Sequence, residues 1–274
     1  MGAYSRRGPL LVESDVNLTA TFERSTRGFR DGAATAGTTS MVGAMRWTGR
    51  RGKLNRLGIG LAVGYALGTI STADIVVKRM AGRDLRLQGT GNPGAANAMK
   101  VLGTKAGLVV MAGDISKGVV ACAIGGVLAG PTGAHLAGTA SVAGHCHPVW
   151  NGFRGGKGVA TSVGQCFATF PAYFPIDIGV AAATAAVPAW KQRAFAATLA
   201  SSAIWVVGGV VWWAKGWRNL WGPKPTIMLP VSALLSSAII IERFIAAGDV
   251  TDPSSSDPRR EPHTAARPRH EVLP

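Results

Sequence analysis

At 274 residues, with 47% hydrophobic residues, 37 glycines and only 16% charged residues, the chain departs from the usual make-up of a soluble domain. Its net charge of +15 invites an acidic partner, but no helix-turn-helix, zinc-finger or aromatic RNA-binding pattern accompanies the basic residues, so the composition argues against nucleic acid and for anionic lipid or phosphorylated ligands. Cys122, Cys146 and Cys166 form no close pair, which excludes a disulfide framework, and His145-Cys146-His147 has no second cluster with which to enclose a metal.

Residues 1–55 mix Arg, Ser, Thr, Gly and scattered acids without periodicity and are expected to be a basic disordered extension, with Met41 and Met45 as alternative starts. A first apolar span is expected from Leu57 to Val77, interrupted only by Asp74. It leads into a loop in which Lys78, Arg79, Arg83, Arg86, Lys100 and Lys105 face Asp84 alone, so that loop is expected to be cytoplasmic. A second span, Ala106 to Leu128, contains Asp114 and Lys117, whose spacing puts them on one helix face where they can pair. After the turn Gly130-Pro131-Thr132-Gly133, an uncharged stretch runs to Ala143 and meets a polar loop with His145, His147, Arg154 and Lys157. From Gly158 to Trp190 the chain is apolar apart from Asp177. Pro171 and Pro175 in its middle predict two short helices joined by a bend. Lys191 and Arg193 are expected to return to the cytoplasm, followed by spans over Ala194–Trp213 and Thr226–Ala247 and a flexible tail, 249–274. The fold class is therefore an all-α polytopic membrane bundle of about seven transmembrane helices, with its membrane domain over 56–248. This topology places the basic leader outside, against the positive-inside tendency, which either weakens the first-span assignment or supports the later start.

Two segments carry chemistry. Gly144 to Thr161 reads as an anion site: Gly155, Gly156 and Gly158 permit close backbone approach, Arg154 and Lys157 supply charge, and a helix beginning near Gly158 presents its positive end. Gln88 to Lys100 superficially matches a dinucleotide fingerprint, but it follows a basic loop rather than a strand. It reads better as a second cradle, in which Asn92 and Asn97 offer amides and Lys100 a charge. Two such loops on one face of a bundle suit a ligand with two phosphates or two phosphorylated ligands.

These segments resemble the first two signature motifs of the PlsY-type acyl-phosphate:glycerol-3-phosphate acyltransferases. In the second motif Gly144, His145, Val149, Phe153, Gly155, Gly156, Lys157, Gly158, Val159, Ala160 and Thr161 agree, and Arg154 replaces a lysine. In the first, Gly91, Asn92, Gly94, Ala95 and Asn97 agree, with Thr90, Ala96 and Lys100 standing for serine, threonine and arginine. Asp114, Lys117 and Gly118 resemble the family's Asp-x-x-Lys-Gly. The third motif is poorly matched: Arg243, Gly248 and Asp249 resemble it, while Ser237 and Ile240 occupy its His and Asn positions, and Ala194 stands where the family has a serine.

The resemblance implies acyl transfer from acyl phosphate to the 1-hydroxyl of glycerol 3-phosphate at a bacterial plasma membrane, with cytoplasmic active-site loops and no cofactor or metal. It implies catalytic roles for Asn92, His145 and Lys157. Arg154, Lys157 and the surrounding amides of Gly155, Gly156, Gly158 and Thr161 would bind one phosphate; Thr90, Gly91, Gly94, Asn97 and Lys100 would serve the other substrate. His145 either orients a hydroxyl or braces its loop. No histidine is followed four residues later by aspartate, which argues against the acyl-CoA-dependent class with that motif. A non-catalytic paralogue that binds phosphorylated lipid precursors, and a transporter of a phosphorylated solute, are the competing expectations.

Overall fold

The computed structural model describes residues 50–186 and 193–248; the expected leader, the expected tail and the return at Lys191 lie outside the described residues. Eight α-helices follow in order: α1 (Arg50–Thr69), α2 (Thr72–Ala81), α3 (Ala95–Leu102), α4 (Thr104–Cys146), α5 (Val159–Thr169), α6 (Phe174–Ala185), α7 (Arg193–Lys215) and α8 (Met228–Ala246). No strand occurs among the described residues. Helices are the form that apolar chain takes in hydrocarbon, because every backbone N–H and C=O is then satisfied within its own segment.

α4 is two legs rather than one rod. Ala129 and Gly130 leave helical geometry, Gly130 with φ of 65°, and Pro131 starts the return leg. With that division the bundle has seven apolar segments, in agreement with the crossings expected from composition. Four helical stretches are long and apolar enough to cross a membrane by themselves: Arg51–Ala81, Thr104–Asn151, Ala194–Lys215 and Met228–Ala246.

The first span differs from expectation. It stops at Thr69, whose hydroxyl donates back to Ala66 O at 2.7 Å, and a new helix starts after Ser71, which caps the backbone N–H of Asp74. Asp74 therefore lies on α2, past the break in that first stretch. It pairs with Arg86 at 2.7 Å, which ties α2 to the following loop.

Small residues let the helices approach closely. A Cβ on Gly64 or Gly68 of α1 would strike the backbone of Ala137 or Ser141 on the return leg of α4, and one on Gly144 would strike Tyr65. Without a hydrophobic driving force between helices in lipid, such backbone-to-backbone packing is what holds α1 against α4. A buried polar seam joins α4, α5 and α8. Ser236 donates to Gln165 Oε1 at 2.7 Å, Gln165 Nε2 donates to Thr139 Oγ1 at 3.2 Å, and Ser232 Oγ lies 3.3 Å from His135 Nδ1. Periodicity gave no sign of this seam.

Candidate functional site

Both chemistry-bearing loops lie at one end of the bundle, where both legs of α4 terminate. The first loop folds around a single side chain. Asn97, buried on α3, donates to Leu85 O at 3.2 Å and Gln88 O at 2.9 Å and accepts from the Thr90 N–H at 2.9 Å. The expectation that Asn97 offers its amide to a ligand is corrected by these contacts, which engage both ends of the amide; Asn97 shapes the loop from behind. Thr90 and Lys100 remain exposed, with Gly91, Asn92 and Gly94 between them half-buried. Gly91 takes φ of 71° to make the turn, and Asn92 O accepts the Gly94 N–H at 2.9 Å just before α3 begins.

The second loop starts one residue past a buried polar trio. Asp114 and Lys117 pair at 2.8 Å on α4, as their spacing predicts. Lys117 Nζ also donates to Ile70 O at 3.0 Å and lies 2.7 Å from His145 Nδ1. Asp114 Oδ1 lies 3.6 Å from the same nitrogen, farther than Lys117 Nζ; an ammonium has donors only, so with Lys117 charged the shorter contact assigns His145 Nδ1 as acceptor and the ring proton to Nε2. That nitrogen faces Gly156, at which a Cβ would strike the ring. His145 is thus the buried last turn of α4, not part of the polar loop as expected from sequence, and its position explains why residue 156 has no side chain.

Two other expectations change. The amides of Gly155 and Gly156 donate to Cys146 O at 3.0 Å and His145 O at 3.1 Å, so they close the loop instead of facing a ligand. Thr161 is fully buried where α5 crosses Gly118 of α4, so it supports the loop from beneath and exposes no hydroxyl. What remains for an anion is the N-terminal turn of α5, which starts at Val159 after Gly158, together with the cations of the loop.

Those cations converge from three elements. Lys157 lies 4.5 Å over the ring of Phe244 on α8. Burial, followed by repulsion from Lys100 and Arg243, pulls its ammonium pKa down to about 8. Lys100 stands on α3, the helix that follows the first loop, so the first cradle also contributes to the field at Lys157. Arg154 stands exposed at the rim.

Sequence reasoning left several supports out of its site. Arg243 donates to Gly155 O at 3.0 Å and Gly156 O at 3.5 Å. The Tyr65 hydroxyl donates to His147 O at 2.7 Å, and Trp150 Nε1 donates to Thr69 Oγ1 at 2.9 Å. His147 Nε2 meets Glu242 Oε2 at 2.9 Å. The only sequence signal for any of them is Arg243, which matches the third motif. At the motif's other positions, Ser237 is buried and Ile240 packs with Val142 and Cys146.

Residues 58–248 match the family model for glycerol-3-phosphate acyltransferase. Among curated relatives, the glycerol-3-phosphate acyltransferase of Thermoanaerobacter sp. (strain X514) is 49% identical over 109 residues, 40% of this chain and 55% of that protein. The one from Clostridioides difficile (strain 630) is 48% identical over 115 residues, 40% of this chain and 56% of that protein. These matched stretches span about half the length of the relatives. Crystal structures of PlsY, an integral membrane glycerol 3-phosphate acyltransferase, are also similar. Its glycerol 3-phosphate form gives a TM-score of 0.57 at 28% identity over 69% of this chain and 88% of that one, and its lysophosphatidic acid form 0.55 at 27% over 69% and 87%.

Proposed function

The chain belongs to the glycerol-3-phosphate acyltransferase family, and from that premise we propose that it transfers a fatty acyl group from acyl phosphate to the 1-hydroxyl of glycerol 3-phosphate, releasing phosphate and lysophosphatidate for phospholipid synthesis. The observation that carries this reading is the gathering of cations at the second loop: Arg243 of α8 donates to Gly155 O and Gly156 O, Lys157 lies over Phe244 of the same helix, and Lys100 of α3 is close enough to repel it. Two phosphorylated substrates meeting at one site need such a concentration of charge.

The chemistry asks little beyond placement. The hydroxyl oxygen attacks the acyl carbon, the acyl–phosphate C–O bond breaks, and the departing phosphate takes up the proton that the hydroxyl loses. Lys157 and Arg154, with the N-terminal turn of α5, stabilise the acyl phosphate and the charge that develops as it departs. Thr90, Asn92 and Lys100 hold glycerol 3-phosphate, on a loop that Asn97 positions. His145 keeps its Nε2 proton toward the loop, so it acts as a hydrogen-bond donor to a reacting oxygen rather than as a base. Asn92 supplies a second donor. No cofactor takes part in this scheme. The loops would face the cytoplasm of a bacterial plasma membrane, as their basic residues favour.

Ile240 favours a second reading. An apolar residue stands where the family motif has asparagine, and it packs into the bundle. A paralogue that binds both phosphates without transferring the acyl group would tolerate that change.

Purified protein in lipid, given palmitoyl phosphate and glycerol 3-phosphate, should release phosphate and form lysophosphatidate. Lys157→Ala should lower kcat by about 10²–10³, the scale of losing one preorganised charge-stabilising group. Folded wild-type protein that binds glycerol 3-phosphate yet forms no product would leave the paralogue reading standing.

A further inference from the structure

The opposite end of the bundle is also cationic. α5 starts beside Lys157 and runs away from the loops; at its far end Asn219 Nδ2 donates to Thr169 O at 2.8 Å and Trp221 Nε1 to Phe167 O at 3.2 Å. The chain between α7 and α8 is thereby fastened over the turn at Gly130, remote from both cradles. It is a fixed structure. Asn219 Nδ2 also donates to Pro223 O at 2.9 Å, Trp212 Nε1 to Arg218 O at 3.2 Å, and Trp212 and Trp217 meet edge to face at 4.8 Å.

Beneath this connection lies an apolar groove of about 510 Å³, walled by Cys122, Gly126, Pro131 and Phe167 and edged by Trp221 and Pro223. Its size falls in the ~300–1,000 Å³ range of small-molecule sites. Above it Lys215, Arg218 and Lys224 are all exposed, and none forms an ion pair with a described residue. Asp177, in the first turn of α6, is the acidic residue at this end, and it forms no ion pair with the three cations; the sequence holds no further Asp or Glu from Ile178 to Ile241. Trp217 and Trp221 are exposed beside the cations, in the manner of an interfacial aromatic belt.

We propose that this end of the bundle binds one anionic phospholipid, with an acyl tail in the groove and its headgroup on Lys215, Arg218 and Lys224. The groove accounts for the tail and the uncompensated charge selects the headgroup; the inference does not depend on the acyl-transfer reading.

The test is native mass spectrometry of the full chain released from bilayers of equal phosphatidylglycerol and phosphatidylcholine. Wild-type protein should retain one phosphatidylglycerol in preference to phosphatidylcholine. Replacing Lys215, Arg218 and Lys224 together by alanine should abolish that preference, at roughly fivefold per cation. Gly126→Leu should lower retention of both lipids, since a Cβ there meets only Ala134 Cβ at 3.5 Å and the longer side chain fills the groove. Equal retention of the two lipids by wild-type protein, or undiminished phosphatidylglycerol on the triple variant, would overturn the proposal. So would a Gly126→Leu protein whose KM for acyl phosphate acquires a new dependence on chain length, because the groove would then hold the substrate's tail.

Discussion

The two glycine-rich loops are similar in sequence style and opposite in support. The first is held by a neighbour: the three hydrogen bonds of Asn97 reach only 7 to 12 residues back along the chain. The second closes locally through the Gly155 and Gly156 amides but is also held from far away, by Tyr65 and Trp150 to the first span and by Arg243 across 87 and 88 residues. A loop supported locally keeps its shape whenever its own helix forms. One supported by distant helices keeps its shape only when the bundle is assembled, so the same substitution chemistry should act differently on the two.

The largest effect is expected at the foot of the second loop. Lys117→Met leaves the Asp114 carboxylate buried beside His145 without its cation, which should cost about 3–5 kcal/mol in thermal unfolding. The first loop, which shares no hydrogen bond or ion pair with this trio, should retain its affinity for glycerol 3-phosphate in whatever fraction stays folded. Equal loss of that affinity in the folded fraction would break the separation between the loops.

Arg243→Gln removes the charged donors to Gly155 O and Gly156 O, of which the 3.0 Å bond to Gly155 O carries most of a loss of about 1.5–3 kcal/mol. Its counterpart, Asn97→Asp, removes the donors to Leu85 O and Gln88 O at about 1–3 kcal/mol. Steady-state kinetics should separate the pair: Arg243→Gln should raise KM mainly for acyl phosphate, and Asn97→Asp mainly for glycerol 3-phosphate. Matching changes in both constants would mean that the loops act as one unit.

The smallest effect is reversible. Lys157 has a pKa depressed to about 8, so its cation is present below that pH and is lost as pH rises through it. Affinity for the phosphate it serves should therefore fall above about pH 8, by up to tenfold per unit. Lys157→Arg, charged throughout, should shift that fall to higher pH. A pH profile unchanged by the arginine would assign the titration to another group.

This contrast also explains what could be read in the sequence. Spans of about 20 apolar residues, the Asp114–Lys117 face and the bend between α5 and α6 all follow from local periodicity, composition and proline. The cradles were legible as glycine with cation, and the resemblance to a known family fixed them further. Their plumbing was not. Nothing near Gly155 announces that its amide will close on Cys146 O, and nothing near Asn97 tells whether its amide faces ligand or loop. The stop at Thr69 depends on side-chain bonds of Thr69 and Ser71 that hydropathy does not register. Arg243 and the seam of Thr139, Gln165 and Ser236 join segments far apart in the chain, and such pairings leave no trace in a window of neighbouring residues.

The seam between α4, α5 and α8 bears on how the protein is made. Helices emerge from synthesis in chain order, so Thr139 and Gln165 enter the bilayer while Ser236 has yet to be translated. Until then the Oε1 of Gln165 lacks the hydroxyl it accepts from in the finished bundle. That unmet bond favours docking of the last helix in the one rotation that presents Ser236. The same rotation delivers Arg243 to Gly155 and Gly156 and sets Phe244 under Lys157. Biogenesis and competence are thus joined in one event: the nascent chain completes its second cradle only when its final helix seats.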